Sequence, residues 1–290
     1  MKVAIMTDSN SGITQSQAKE LGIFVLPMPF TIDGEEYKED INLTQEEFYE
    51  KLMNDAEVFT SQPAVGDVKE FFDNILKEYD EIVHIPMSSG LSGSCQTALM
   101  LAQDDEYLNK VYVVDSQRIS VTQKQDVLDA IKLAKQGKSA KEIHDILMEN
   151  KMNATIYITV NTLEYLKKGG RLTPAVAAIG SLLKIKPVLT IQGEKLDQFQ
   201  KTRTMTKARD IMINAVIHDI QERIDPNNED MSNAQVWIAY TFDKETAQDF
   251  KEQVQQHFPN HTIVFDPLSL SVACHIGPNA LALAACKKII

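Results

Sequence analysis

Through the first half of the chain, short apolar runs alternate with helical patterns, and that alternation limits the possible folds more than any other feature. Residues 3–7, 24–32, 81–85 and 111–115 read as strands. Helices are predicted over 14–21, 44–53, 65–79 and 94–102, followed by two more before residue 150. Gly22 stops the first helix, and Asp33-Gly34 is a hairpin turn pair. Thr44 with Glu47 and Ser139 with Glu142 are capping boxes that open helices. Strands separated by helices must be joined by crossovers, which produce a parallel sheet covered on both faces.

The second half has a different rhythm. Residues 155–160 read as a strand, and 163–168 as a helix stopped by Gly169-Gly170. Residues 185–191 and 196–201 flank a turn at 192–195 and predict an antiparallel hairpin. A long helix over 206–223 leads into a polar loop at 225–230. Strands at 236–241 and 262–265 are separated by a helix over 244–257. From Pro278 the Ala/Leu-rich end reads as a helix. The polar run at 150–153 divides the chain into domains 1–153 and 154–290. The expected class is α/β, with a Rossmann-like, mostly parallel N-terminal sheet and a mixed C-terminal sheet.

The 290 residues carry 41 acidic and 29 basic side chains, a net charge of −12, which argues against a nucleic-acid partner. No apolar stretch approaches the ~20 residues that span a bilayer, and the opening apolar run is too short for a signal peptide. Cys95, Cys274 and Cys286 are scattered, which suits a reducing cytoplasm and excludes a disulfide framework. The histidines lack HExxH spacing, and 225–230 lacks the glycine of a calcium loop, so no metal site is expected. Gly137-Lys138-Ser139 imitates a phosphate loop, but Lys132 stands where its first glycine is needed. Gly90-Leu91-Ser92-Gly93-Ser94 imitates a nucleophile elbow, but Ser94 replaces the closing glycine.

Two loops could hold an anion. Ser88-Ser89-Gly90-Leu91-Ser92-Gly93-Ser94 follows a strand and opens a helix, whose first N–H groups are unpaired. Capping alone needs one serine, and four serines with two glycines exceed that need. Thr60-Ser61-Gln62-Pro63 is a second hydroxyl-rich loop before a helix, and for it a cap is the simpler explanation. His275 lies in Ala273-Cys274-His275-Ile276-Gly277-Pro278, ahead of the expected last helix.

In order along the chain, several segments resemble the DegV family, the fatty-acid-binding partners of bacterial fatty acid kinases. They are Thr7-Asp8-Ser9, Thr60-Ser61-Gln62-Pro63, Ser88-Ser89-Gly90-Leu91-Ser92-Gly93, Leu163-Glu164-Tyr165-Leu166-Lys167-Lys168-Gly169-Gly170-Arg171, Leu182-Leu183-Lys184-Ile185-Lys186-Pro187 and His275-Ile276-Gly277-Pro278. The chain departs from the family pattern at Cys274, where threonine is usual, and at Asn279, where glycine is usual. Residues 116–122 also lack expected glycines.

The resemblance implies a two-domain DegV-like fold. Thr60, Ser92 and His275 should contact a fatty-acid carboxylate, with Ser61, Gly93, Ser94 and Arg171 beside them. Residues 175–189 and 263–283 are expected to wall a tunnel for the tail of palmitate, stearate or oleate. An ATP-dependent kinase would phosphorylate the carboxylate to an acyl phosphate for phospholipid synthesis, docking at Lys201 and Arg203 within the basic cluster that includes Lys207 and Arg209. No other cofactor is implied, and the chain itself would catalyse nothing. From the residues alone, two alternatives stay open: a serine hydrolase using Ser92 and His275, and a nucleotide or phosphosugar binder using the Ser-Gly loop.

Overall fold

A computed structural model describes residues 2–171, 173–174 and 185–289. The first half runs β1 (Val3–Asp8), α1 (Gln15–Leu21), β2 (Phe24–Leu26), β3 (Pro29–Ile32), β4 (Glu35–Lys38), α2 (Gln45–Met53), β5 (Val58–Thr60), α3 (Val65–Leu76), β6 (Glu81–Ile85), α4 (Ser94–Leu101), β7 (Val111–Val113), α5 (Ser120–Lys135) and α6 (Ala140–Asn150). Then follow β8 (Ala154–Thr159), α7 (Glu164–Lys168), β9 (Lys186–Ile191), β10 (Leu196–Thr202), α8 (Met205–Asp219), β11 (Ala234–Tyr240), α9 (Lys244–His257), β12 (Val264–Pro267), α10 (Leu270–Ile276) and β13 (Leu281–Lys287). Both expected capping boxes form, at Thr44 and at Ser139.

The strands make three sheets. One is fully parallel, in the order β2-β1-β6-β7. Its order reverses direction between β1 and β6, so the loops after these two strands diverge and open a crevice at the sheet's carboxyl edge. A mixed sheet of six strands, β10-β9-β8-β13-β11-β12, is drawn wholly from residues 154–287. A small antiparallel sheet, β4-β3-β5, carries Thr60 at the end of an edge strand.

The expectation fails at two places in this framework. The run 24–32 is two strands in two sheets, because Pro27 and Pro29 cannot donate to one continuous ladder. The Ala/Leu-rich end is a central strand, not a helix: β13 pairs antiparallel with both β8 and β11. Its alternation of Leu281 and Leu283 with Ala282 and Ala284 has the period of a strand, and burial between two neighbours overrides the helical propensity of Ala and Leu.

Helix α5 joins the two large sheets. It packs on β1 and β6 of the parallel sheet and on β8, β11 and β13 of the mixed one. Twelve of its sixteen residues are buried, although its sequence is largely polar, so its polar side chains need partners inside the protein. Gln123 donates to Thr7, Asp8 and the carbonyl of Ile85, and Lys124 pairs with Asp266 at 2.8 Å. Arg118, just before the helix, is 2% exposed, binds Asp126 and donates to the carbonyl of Asn150. Burial still pushes the Asp126 carboxyl up to about 6, against the pull of Arg118. Arg223 donates to the carbonyls of Met152 and Ala154, so both ends of the 150–154 crossing are held by guanidinium groups.

No helix among the described residues is long and apolar enough to cross a membrane. Nor do three or more His, Cys, Asp or Glu side chains among them gather as a metal site. The three cysteines are free and buried.

Candidate functional site

The mixed sheet has two unlike faces. Tyr157, Val188, Val236, Ile238, Leu281 and Leu283 point to one side and pack against α8 and α9. Alternate residues on the same strands, including Ile156, Ile158, Leu189, Ile191, Ala239 and Ala282, point to the other and line a cavity of about 300 Å³. Ala239 and Ala282 are direct cross-strand partners, and two methyl groups side by side leave room above the middle of the sheet. Met28, Met87, Leu91, Ile119 and Val121 complete apolar walls from the first half of the chain.

One end of the cavity is polar. Thr60 Oγ1 lies 2.8 Å from His275 Nε2. Ser61, Gln62, Ser92, Gly93 and Arg171 line the same space, as does Asn10. Three elements of separate origin therefore converge: the end of β5, the loop before α4 and the last turn of α10.

Each group is fixed locally. Ser88 and Ser89 serve the loop itself: the Ser88 hydroxyl accepts the Gly90 N–H, and Ser89 donates to Asp115 at 2.6 Å. Half of the serine excess is thus structural. Ser92 caps in part, accepting the Ser94 N–H at 3.2 Å and donating to the Ser94 hydroxyl at 3.0 Å. Ser94 stands behind Ser92 and faces a separate, smaller space. The capping explanation for the other loop does not hold. Helix α3 starts after Ala64 without a side-chain cap, which leaves the Thr60 and Ser61 hydroxyls out of that role.

His275 is within α10, not in a loop before a helix. Residues 271, 272, 275 and 276 of that helix line the cavity, while Leu270, Ala273 and Cys274 pack into the core of the small sheet. Cys274 therefore faces away from the cavity. Gly169 presses on the imidazole: a side-chain carbon there would overlap Nδ1. Burial, reinforced by the Arg171 charge, pushes the His275 pKa down to about 4, so the ring is neutral at pH 7. Its Nδ1 is buried without a hydrogen-bond partner among the described residues. A serine hydrolase needs histidine between serine and a carboxylate, and here Nε2 meets Thr60 while Nδ1 meets no acid among the described residues.

Arg171 donates to the carbonyls of Leu91 at 3.3 Å and Gly169 at 2.9 Å, bringing a permanent positive charge to the polar end. The Glu39 carboxylate accepts the Leu270 N–H at 2.8 Å and so caps α10 from far along the chain. Burial pushes Glu39 up to about 8.

The glycine-poor segment and Asn279 keep glycine-like backbones. Gln117, Ser120 and Asn279 have φ of 58°, 57° and 63°. Asn tolerates this region well, and the other two hold it at a cost of order 1 kcal/mol or more.

Lys201 and Arg203 are exposed and lie outside the cavity lining. Arg209 does not join them in a free basic patch, because it donates to the carbonyl of Thr246 and lies over the Phe250 ring. Of the expected tunnel walls, Leu189, Leu268, Val272, Ile276 and Ala282 line the cavity. Residues 175–184, including the first half of the Leu182–Pro187 motif, lie outside the described residues. Sequence reasoning missed Asn10, Gln62 and the sheet-face residues Ile156, Ile158 and Ala239.

A family model described as "Uncharacterised protein, DegV family" matches residues 2–288. Protein DegV of Bacillus subtilis is 30% identical, over 99% of this chain and 100% of its own length. The solved structure of a Thermus thermophilus DegV family protein, described as binding fatty acid, superposes with a TM-score of 0.88 at 28% identity, covering 99% of this chain and 100% of that one. That of DegV from Bacillus subtilis, described as a fatty acid binding protein, gives 0.86 at 28% identity with the same coverage. With the family model matching nearly end to end, this chain belongs to the DegV family.

Proposed function

We propose that this protein binds one long-chain fatty acid, such as palmitate, stearate or oleate, and presents its carboxylate to a separate ATP-dependent kinase. The observation that carries the reading is one cavity that is apolar along a sheet face and ends at Thr60, Ser92 and His275. A buried carboxylate needs hydrogen-bond donors. With the His275 Nε2–H donating to Thr60, the Thr60 hydroxyl proton is free for the carboxylate, Ser92 joins it by turning its hydroxyl away from Ser94, and Ser61, the Gly93 backbone N–H and the Arg171 charge stand in the same wall. Each buried methylene contributes ~0.8 kcal/mol, so the tail provides on the order of 10 kcal/mol before association costs. Affinity then comes from the tail, while the head-group contacts set orientation and selectivity. The largely hydrocarbon walls disfavour a nucleotide or phosphosugar.

In this reading residues 1–153 provide Thr60 and Ser92, residues 154–290 provide His275 and most of the channel, and the chain breaks no bond itself. The kinase converts the carboxylate to an acyl phosphate that feeds phospholipid synthesis, meeting the carrier at Lys201 and Arg203. Native mass spectrometry of protein purified from cells tests the first step: a single bound fatty acid is expected. Protein that carries no lipid, and that ATP or a sugar phosphate protects against heat while fatty acids do not, would refute it. Trapping of acyl phosphate with hydroxylamine, in the presence of a fatty acid kinase and ATP, tests the second.

A further inference from the structure

Behind Ser92, at the carboxyl edge of the parallel sheet, lies a second space of about 10 Å³. Its polar walls are Asp8, His84, Ser94 and Thr97, and Pro63 and Pro86 are among its apolar ones. That volume accommodates a single water-sized sphere.

His84 on β6 is 2% exposed, and neither ring nitrogen has a hydrogen-bond partner among the described residues. The Phe72 ring meets it edge-on at 5.6 Å, covering one side with hydrocarbon. Burial pushes the imidazole pKa down to about 3, so the ring is neutral, with one N–H to give and one lone pair to fill. Leaving both unmatched in the interior is costly. The Asp8 carboxylate accepts from the N–H groups of Met87 and Asn10 and from the Gln123 amide. The Asn10 side chain approaches it as well, and burial raises its pKa, so Asp8 borders the space as a largely engaged group. The Ser94 hydroxyl accepts from Ser92, and its own proton is available.

We propose that this space is a binding site for one structural water, held by His84 and by the polar groups of Asp8, Ser94 and Thr97. Such a water has the two to four polar partners that buried waters require. It extends the part-buried Ser92–Ser94 pair into a hydrogen-bond chain that reaches His84. The site is distinct from the main cavity, although Met28 borders both and the Ser92–Ser94 bond links them.

Diffraction from wild-type crystals, at a resolution that shows ordered solvent, tests the assignment. One fully occupied water within hydrogen-bond distance of a His84 nitrogen is expected, with or without lipid. It should vanish in His84→Phe, whose larger ring fills the space. Transfer of magnetisation between bound water and the His84 ring protons is the expected signature in solution. A wild-type map with no solvent beside His84 would overturn the proposal, as would His84 protons that exchange no magnetisation with water.

Discussion

The two faces of the mixed sheet are built from alternate residues of the same strands, yet one is packed throughout and the other is part core, part cavity wall. Leu281 and Leu283 send branched side chains into the packing under α8 and α9, and both are essentially inaccessible. Ala282, between them, sends a methyl group into open space. The hydrogen-bond ladder is identical for both faces, so packing and binding are separated by which elements cover each face and by the small side chains of Ala239 and Ala282. A sheet can thus be rigid and hollow at once, because its outer face and its ladder supply the stability that the inner face forgoes.

Swapping sizes across this divide is the sharpest way to break the comparison. Leu283→Ala should lower unfolding free energy by about 2–5 kcal/mol, measured by denaturant titration, with lipid still bound by the folded fraction. Ala282→Leu should leave stability within about 1.5 kcal/mol and remove co-purifying fatty acid. If the two variants lose stability equally, the faces do not differ as described. At the polar end, Thr60→Val and His275→Ala should each weaken fatty-acid binding about 10–100-fold, the span of a lost hydrogen bond to a charged group, and reduce transfer by the kinase at least as much. Full acyl phosphate formation by Ser92→Ala and His275→Ala would show that the head-group assignment is wrong.

Glu39, which caps the helix lying over the inner face, gives a smaller effect. Its carboxyl is pushed up to about 8, so the folded protein keeps a proton that the unfolded chain releases above its ordinary value of 4.5. Stability from this group is complete at low pH and drains away as pH rises toward 8. His275 and His84 have the opposite sign, since their lowered pKa values cost stability only as pH falls below about 6.5. Burial raises Asp8 and Asp129 too, and they share the Glu39 sign, so Glu39 supplies one part of the fall between pH 7 and 8, at no more than about 1.4 kcal/mol over that unit. Glu39→Gln keeps an acceptor for Leu270 and should flatten it. An unchanged slope would mean that Glu39 is ionised throughout. Smallest of all, Ser120→Gly at the cavity wall should be neutral or stabilising by up to about 1 kcal/mol in thermal melts, whereas glycine elsewhere in a helix destabilises.

Much of this was legible in the sequence. Helices marked by caps, such as those after Thr44 and Ser139, and the hairpin flanking 192–195 were read correctly because their signals are local, whereas the run 24–32 was read as one strand across two prolines that split it. The end of the chain was misread because Ala and Leu favour helices in isolation, although the alternation Leu281-Ala282-Leu283-Ala284 was present to correct it. The meeting of Thr60 with His275 joins positions 215 residues apart, and only the family motifs suggested it. The double duty of Ser92, partly cap and partly cavity wall, depends on where its hydroxyl points, and no residue pattern encodes that.

The contact between Gly90 and the β9–β10 turn has a further consequence. Any side-chain carbon on Gly90 would run into the backbone of Glu194, so the serine loop and the hairpin tip meet through their main chains. Peptide groups cannot change rotamer to absorb a shift. A bulkier residue at position 90 would therefore have to push the hairpin tip and the serine loop apart, so the fit between these two segments depends on a residue that lines neither the cavity nor its polar end.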